Sequence, residues 1–360
     1  MLTQTCDIEF DIAGPEDDAA IRRLLRDGPM PGKIALSLQR EPSFFAAAGI
    51  EGAEHQTVVA RRDGAAVAIG SVSVRQRFFN GDAVRTGYLG SLRVHPSVAG
   101  RFDIIRRGYR FLHELCGQLQ ADVYFTSIAA DNHRAIRLLE RGVPGMPTYT
   151  HVGDVTTLLV QSRPCRRIVA TPDISAVIEL LGVVNPHYQF APLWTVVEMD
   201  RLRAEYGLSN ANFVTSESTG KVAACAALWD QRRFKQAVVT EYPWPVCTLR
   251  PVVNIVCRLM GRLGLPPIGR AISQAFVSHM ACGPGECVAL IDALAGKAHG
   301  AGIEMLAIDL DSRDPRLALL RRKFVTRSYQ TRLYMVSWPD CPSQLPPPDG
   351  RLMYPEIALL

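Results

Sequence analysis

The sequence predicts an α/β fold built as two tandem domains, each a mixed, mostly antiparallel sheet flanked by helices. Three observations predict it. Residues 8–142 read in the order β-α-α-β-β-β-α-β-α. A similar order restarts about 170 residues later, a period that means whole domains rather than a solenoid. The chain has 360 residues, more than the roughly 250–300 at which single cores stop growing.

Taken in order, Ile8 to Ile12 reads as a strand. Pro15-Glu-Asp-Asp opens an amphipathic helix with Ala20, Ile21, Leu24 and Leu25 on one stripe, since proline and acids suit a first helical turn. Further helical stretches are predicted near 34–38 and 43–48. Thr57–Arg61 and Ala65–Arg77 read as strands joined at Arg62-Asp63-Gly64, and Asn80-Gly81 is a type I′ hairpin signal leading into a strand that ends at Val94. A helix follows from Arg101 to about Gln118, then a strand Val123–Ile128 and a helix opened by Asp131-Asn132. A hairpin turning at Gly153-Asp154 is expected over 148–160.

The polar stretch 161–167, with Pro164, breaks both periodicities and places a boundary, giving domains 1–162 and 163–342 and a tail 343–360. The second half reads as strand 168–170, helices 171–181 and 193–206, a hairpin over 212–228 and a strand 237–242. After a long excursion come strand 275–281, helix 286–299, strand 305–310, helix 315–323 and a hairpin-like 325–338.

Net charge is +5, with 48% hydrophobic and 21% charged residues. These are ordinary globular values that argue against extended disorder and do not call for nucleic acid; they suit an anionic ligand equally well. Basic residues are spread without aromatic interleaving, which ranks a nucleic-acid binder low. The nine cysteines form no C-x-x-C pair and read as reduced thiols in a cytoplasmic protein, with no zinc site at Cys282 and Cys287. No stretch reaches about 18 continuous apolar residues, so no transmembrane segment is expected.

Tyr88 to Gly142 carries the chemistry. A strand feeding a small-residue turn and a helix N-terminus makes an anion site, because first-turn N–H groups lack partners and the helix dipole favours negative charge. Leu92-Arg-Val-His-Pro96, Val98-Ala-Gly100-Arg101 and Asn132-His-Arg-Ala135-Ile-Arg-Leu138-Leu139-Glu-Arg-Gly142 resemble the Gcn5-related N-acetyltransferase (GNAT) superfamily. The resemblance covers about 8–160; over 168–338 it rests on element order. It implies central strands that splay apart, with acetyl-CoA as co-substrate along the strand end Leu92, Arg93 and Val94. It implies a pyrophosphate loop of Val98, Ala99, Gly100, Arg101, Phe102, Asp103 and Ile104, aided by Arg106 or Arg107, with Asn132 directed at the pantetheine or capping its helix. A backbone N–H near Arg93 or Val94 would stabilise the oxyanion.

Departures from the pattern are specific. Only Gly100 and Arg101 stand where the family has a glycine-rich loop. The position of the usual tyrosine acid is Leu139, with Arg321 as its counterpart in the second half; Tyr124 and Tyr149 are substitutes to weigh against packing. Glu54 and His55 are candidate bases. In the second half, Pro284 removes a loop donor, Glu286 adds a carboxylate and Asp314 replaces the Asn, so that half reads as one that binds acyl-CoA weakly or not at all.

Residues 243–270 alternate apolar residues with Arg250, Arg258, Arg262 and Arg270. A helix packed over the sheet or between the domains is favoured, with a membrane-surface helix and a lid as alternatives. The leading function is transfer of an acyl group to a primary amine of a small molecule or peptide, with a non-catalytic acyl-CoA-binding protein as alternative. A homodimer is left open.

Overall fold

The computed structural model describes residues 8–30, 32, 34–165, 172–338 and 345–360. The strand expected at 168–170 and the boundary at 342/343 fall outside them. The first half comprises β1 (Ile8–Ile12), α1 (Asp18–Asp27), β2 (Ala35–Gln39), α2 (Phe44–Ala48), β3 (Glu54–Arg62), β4 (Ala65–Phe79), β5 (Asp82–Val94), α3 (Phe102–Leu119), β6 (Val123–Ala129), α4 (His133–Leu139) and β7 (Thr148–Gln161). The second comprises α5 (Ile174–Val184), β8 (Tyr188–Gln189), α6 (Val196–Tyr206), β9 (Phe213–Ser218), β10 (Lys221–Trp229), β11 (Gln236–Glu241), α7 (Trp244–Leu259), β12 (Gln274–Ala281), α8 (Pro284–Gly300), β13 (Met305–Asp311), α9 (Arg316–Lys323), β14 (Thr326–Ser337) and β15 (Leu352–Met353).

Among the described residues the two halves share one sheet of eleven strands, in the order β1-β3-β4-β5-β6-β14-β7-β13-β12-β10-β9. The expected hairpins at 148–160 and 325–338 are instead the single long strands β7 and β14. Each crosses to the other half: β14 lies between β6 and β7, and β7 pairs with β13 from Val155–Asp311 to Gln161–Met305. A short hairpin closing each half would have left two sheets with exposed edges; the exchange buries both edges in a common ladder.

The 34–38 segment is also a strand, not a helix. β2 pairs with β11 of the second half as a separate two-stranded sheet. Partner pairing overrides local propensity here, and Ser37 Oγ ties the strand to the Leu25 carbonyl of α1 at 2.9 Å.

Helices cover both faces. Ile21, Leu24 and Leu25 of α1 pack with Phe44 and Ala48 of α2 on Val59 and Ile69. Tyr109, Leu112, Leu115 and Leu119 of α3 pack on Val58, Val72 and Val74, so neighbouring residues of β3 serve opposite faces, as the two-residue period requires. In the second half Leu290, Ile291 and Leu294 of α8 pack on Val277, Leu306 and Ile308, while Val177 and Leu202 of α5 and α6 join Trp229 and Phe276.

Candidate active site

β5 and β6 run parallel and pair from Thr86–Val123 to Tyr88–Phe125. Beyond that point, among the described residues, the ladder stops and the strands diverge. Gly87 permits the close approach just before the split: a Cβ there would lie 2.3 Å from the Tyr124 ring. On its other side β5 carries a bulge against β4 between Ile69 and Ser71, with Ser91 at φ 52°. A non-glycine residue in that region is a local strain that recurs at functional sites. His95 N–H bonds the Val67 carbonyl of β4 at 2.8 Å. Alternation along the strand therefore turns the N–H groups of Val94 and Leu92 away from β4, into the opening.

That opening is one end of a cavity of about 1010 Å³. It runs from the split strands to the β2–β11 sheet, where Leu36, Leu38, Val239 and Tyr242 give it an apolar wall. Five of the residues expected to hold the co-substrate line it: Leu92, Arg93, Val94, Ile104 and Asn132. Val98, Ala99, Gly100 and Arg101 on the turn, and Phe102 and Asp103 at the start of α3, lie outside it. Val98 and Ile104 are buried on Ala60, Val67 and Ala68 and anchor the turn from beneath. The N–H groups of Val98, Ala99, Arg101 and Ile104 are bonded to carbonyls three residues back. The Arg101 guanidinium grips the Asp103 carboxylate at 3.0 and 2.6 Å and, with the first-turn N–H groups, lowers its pKa. An internal anion thus sits at the N-terminus of α3. Arg107 is turned to the Ile8 carbonyl at 2.6 Å and lies over the Phe10 ring.

Asn132 caps α4: its Oδ1 accepts the Ala135 N–H at 3.2 Å. Replacing it by alanine is expected to lower unfolding free energy by about 1 kcal/mol, to be read from denaturant melts; an unchanged melt would remove the cap from the account.

The candidate acid–base residues separate clearly. Glu54 is exposed and pairs with Arg85 at 3.0 Å. The His55 ring is held between Ser73 Oγ at 2.7 Å and Thr57 Oγ1 at 2.9 Å, and its burial lowers its pKa. Tyr124 bonds the Cys116 carbonyl at 2.8 Å and packs edge-on to Trp338, a packing role. Tyr149 does line the cavity, beside Leu139, but its hydroxyl is 2.5 Å from that of Tyr109.

Among the polar residues of the cavity that the sequence did not mark are Arg40, Glu51 and Lys235. Arg40 pairs with Glu51. Burial opposes ionisation of Glu51, but Arg40, with His55 and Lys235 nearby, outweighs it and holds the pKa below the usual range. Burial, reinforced by Arg40 and opposed by Glu51, draws Lys235 down to about 7. Its Nζ donates to the Leu360 backbone oxygen. Glu51 follows a five-residue helix and Lys235 precedes a strand, both positions that look like surface loops in sequence.

The second half repeats the plan and then fills it. β12 and β13 pair in parallel from Gln274–Met305 to Phe276–Ala307, and β12 has a bulge against β10 with His279 at φ 52°. The split beyond is occupied by residues 353–360. The Met280 N–H donates to the Tyr354 hydroxyl at 3.2 Å, the His279 N–H to Glu356 Oε1 at 2.7 Å, and Ala358 and Leu359 pack on Phe276 and Ala307. Beside it Arg316 links Asp314, at 2.6 Å, to the Cys282 carbonyl at 3.0 Å. The residues read from sequence as a tail are thus a plug.

Among the described residues no helix is long and apolar enough to cross a membrane, and no group of three or more His, Cys, Asp or Glu could hold a metal ion.

No family model matches the sequence, and no curated protein matches it. Solved structures do match in shape. A GCN5-related N-acetyltransferase from Sphaerobacter thermophilus aligns over 91% of this chain and 95% of its own, with TM-score 0.52 and 13% identity. A Pyrococcus horikoshii protein named as a candidate acetyltransferase aligns over 99% and 97%, with TM-score 0.52 and 10% identity. At these identities the likeness concerns the fold, and the chain shares the fold of these proteins over most of its length.

Proposed function

We propose that the chain is an acyl-CoA-dependent N-acyltransferase, with acetyl-CoA as donor, and that the donor binds in the first half. The observation that carries the proposal is the contrast between two equivalent strand splits: the one at Tyr88–Phe125 opens on a large cavity, and the one at Phe276–Ala307 is filled by the chain's own residues.

The residues of the open split fit such a co-substrate. Leu92 and Val94 turn N–H groups to the cleft, where an extended pantetheine amide chain can add like a strand. Gly100, at φ 89°, has nothing within 4 Å of a would-be Cβ and lets a phosphate approach. Arg101 can exchange Asp103 for a phosphate oxygen at a small cost, since both side chains are well exposed. The bound thioester supplies an electrophilic acyl carbon. The chain's N–H groups at the bulge polarise its carbonyl, and the cavity holds the amine against it. An incoming ammonium must lose a proton to attack. Lys235, poised near neutrality in the same cavity, is the group proposed to take it, with Glu51 ionised beside the resulting cation. As the amide C–N bond forms the C–S bond breaks, and the CoA thiolate leaves as the thiol by taking the proton back from the Lys235 ammonium. The apolar wall of Leu36, Leu38, Val239 and Tyr242 suits an amine carrying an apolar body.

The carboxylate of Asp103 at the N-terminus of α3 favours a second reading, an interaction protein that retains the fold without loading acyl-CoA. Calorimetric titration with acetyl-CoA separates them. One site per chain is expected, weakened by Leu92→Pro, which removes a cleft N–H. Two equal sites would overturn the placement in the first half, and no binding would establish the second reading.

A further inference from the structure

We infer that α7 and the loop after it form a docking face for an anionic lipid surface. This goes beyond the transferase reading and does not depend on it. The favoured expectation of a helix packed over the sheet or between the domains fails here, because no residue of α7 is buried. The exposure is extreme for such residues: Trp244 is 82% and Leu259 83% accessible. A helix on a globular protein normally turns its apolar stripe inward. In α7 it points outward. At about 100° per residue, Leu249, Val252, Ile255, Val256 and Leu259 fall within an arc of about 120°. The opposite side holds the protein. Arg250 donates to the Pro266 carbonyl at 3.2 Å, Asn254 Nδ2 to the Leu265 carbonyl at 3.1 Å, and Asn254 Oδ1 accepts the Leu265 N–H at 2.6 Å.

Charge decides the occupant. Residues 242–285 contain Arg250, Arg258, Arg262 and Arg270 and no aspartate or glutamate. Glu304 shares a small hollow with Arg258 and Arg262 on the body side of the helix. An outward apolar stripe with a tryptophan at one end and the exposed Arg258, Arg262 and Arg270 on the same helix and the loop after it matches an acyl layer beneath phosphate headgroups. A second copy of the same face would bring like charges together. Tyr242 and Pro266 flank the segment, are joined by a 2.8 Å hydrogen bond, and both line the cavity. Docking through α7 therefore places a wall of the cavity beside the lipid.

Co-sedimentation of the full chain with vesicles tests this. Binding is expected to vesicles of phosphatidylcholine with phosphatidylglycerol, weaker in high salt, and at least tenfold weaker to phosphatidylcholine alone. The triple variant Val252→Ser, Val256→Ser, Leu259→Ser should lose at least tenfold in vesicle affinity while keeping the thermal melt and the acetyl-CoA titration of the parent, since all three side chains are exposed. Arg258→Gln with Arg262→Gln should remove the preference for the anionic vesicles. No binding by the parent chain, equal binding by the triple variant, or concentration-dependent dimers without vesicle binding would each overturn the inference.

Discussion

Replacing Lys235 by methionine is expected to lower kcat for acylation of an apolar amine by about 10²–10⁴-fold, the usual contribution of a positioned proton acceptor, with a far smaller change in acetyl-CoA affinity. Methionine keeps an unbranched stem of similar length and removes the amine, whose Nζ lies 5.2 Å from the centre of the Phe276 ring. The sign of the pH dependence follows from the environment. Burial, reinforced by Arg40, draws Lys235 to about 7, so the free amine forms as pH rises through that value. The parent activity should climb across it, and in the variant this limb should vanish. A variant that retains both the rate and the limb would remove Lys235 from the chemistry, leaving the cavity and the donor site untouched.

Lys235 also shows why part of the site was illegible. The strand, turn and helix from Tyr88 to Gly142 announce themselves locally: Asn80-Gly81 makes the hairpin, and Asn132 caps α4 as its position suggests. What local patterns cannot show is which distant segments meet. Lys235 reaches the cavity because β11 pairs with β2 across about two hundred residues of chain. Val155 and Thr326, read as parts of separate closing hairpins, belong to strands that change halves. The outward stripe of α7 was visible as a periodicity, but periodicity gives a stripe and not its direction. Leu92-Arg-Val94 was legible as a strand end, while the Asp103 carboxylate, lying in plain view two residues beyond Arg101, acquires meaning only once the turn is built and the two side chains are seen to pair.

Glu356→Gln is expected to stabilise the fold, by roughly 3 kcal/mol at pH 7. Glu356 is fully buried at φ 59°. Burial and the neighbouring Asp309 raise it from 4.5 to about 8. Folding at pH 7 must therefore protonate a carboxyl that the unfolded chain leaves ionised, at 1.36 kcal/mol for each unit above 4.5. A group raised in the folded state gives its full stability below its unfolded value and loses it as pH rises through its folded value. The parent should thus weaken between about pH 4.5 and 8, where glutamine, always neutral, should not. The amide oxygen can still accept the His279 N–H, and a neutral amide removes the repulsion between Glu356 and the neighbouring Asp309. Denaturant melts from pH 4.5 to 9 should show the two proteins alike at the acid end, diverging upward and parallel above about pH 8. Lys235 titrates with the opposite sign in both proteins and cancels from the difference. Equal stability throughout would mean that the plug opens to solvent. The second split would then be a cleft able to admit ligand, and the assignment of the donor to the first half would lose the contrast on which it rests.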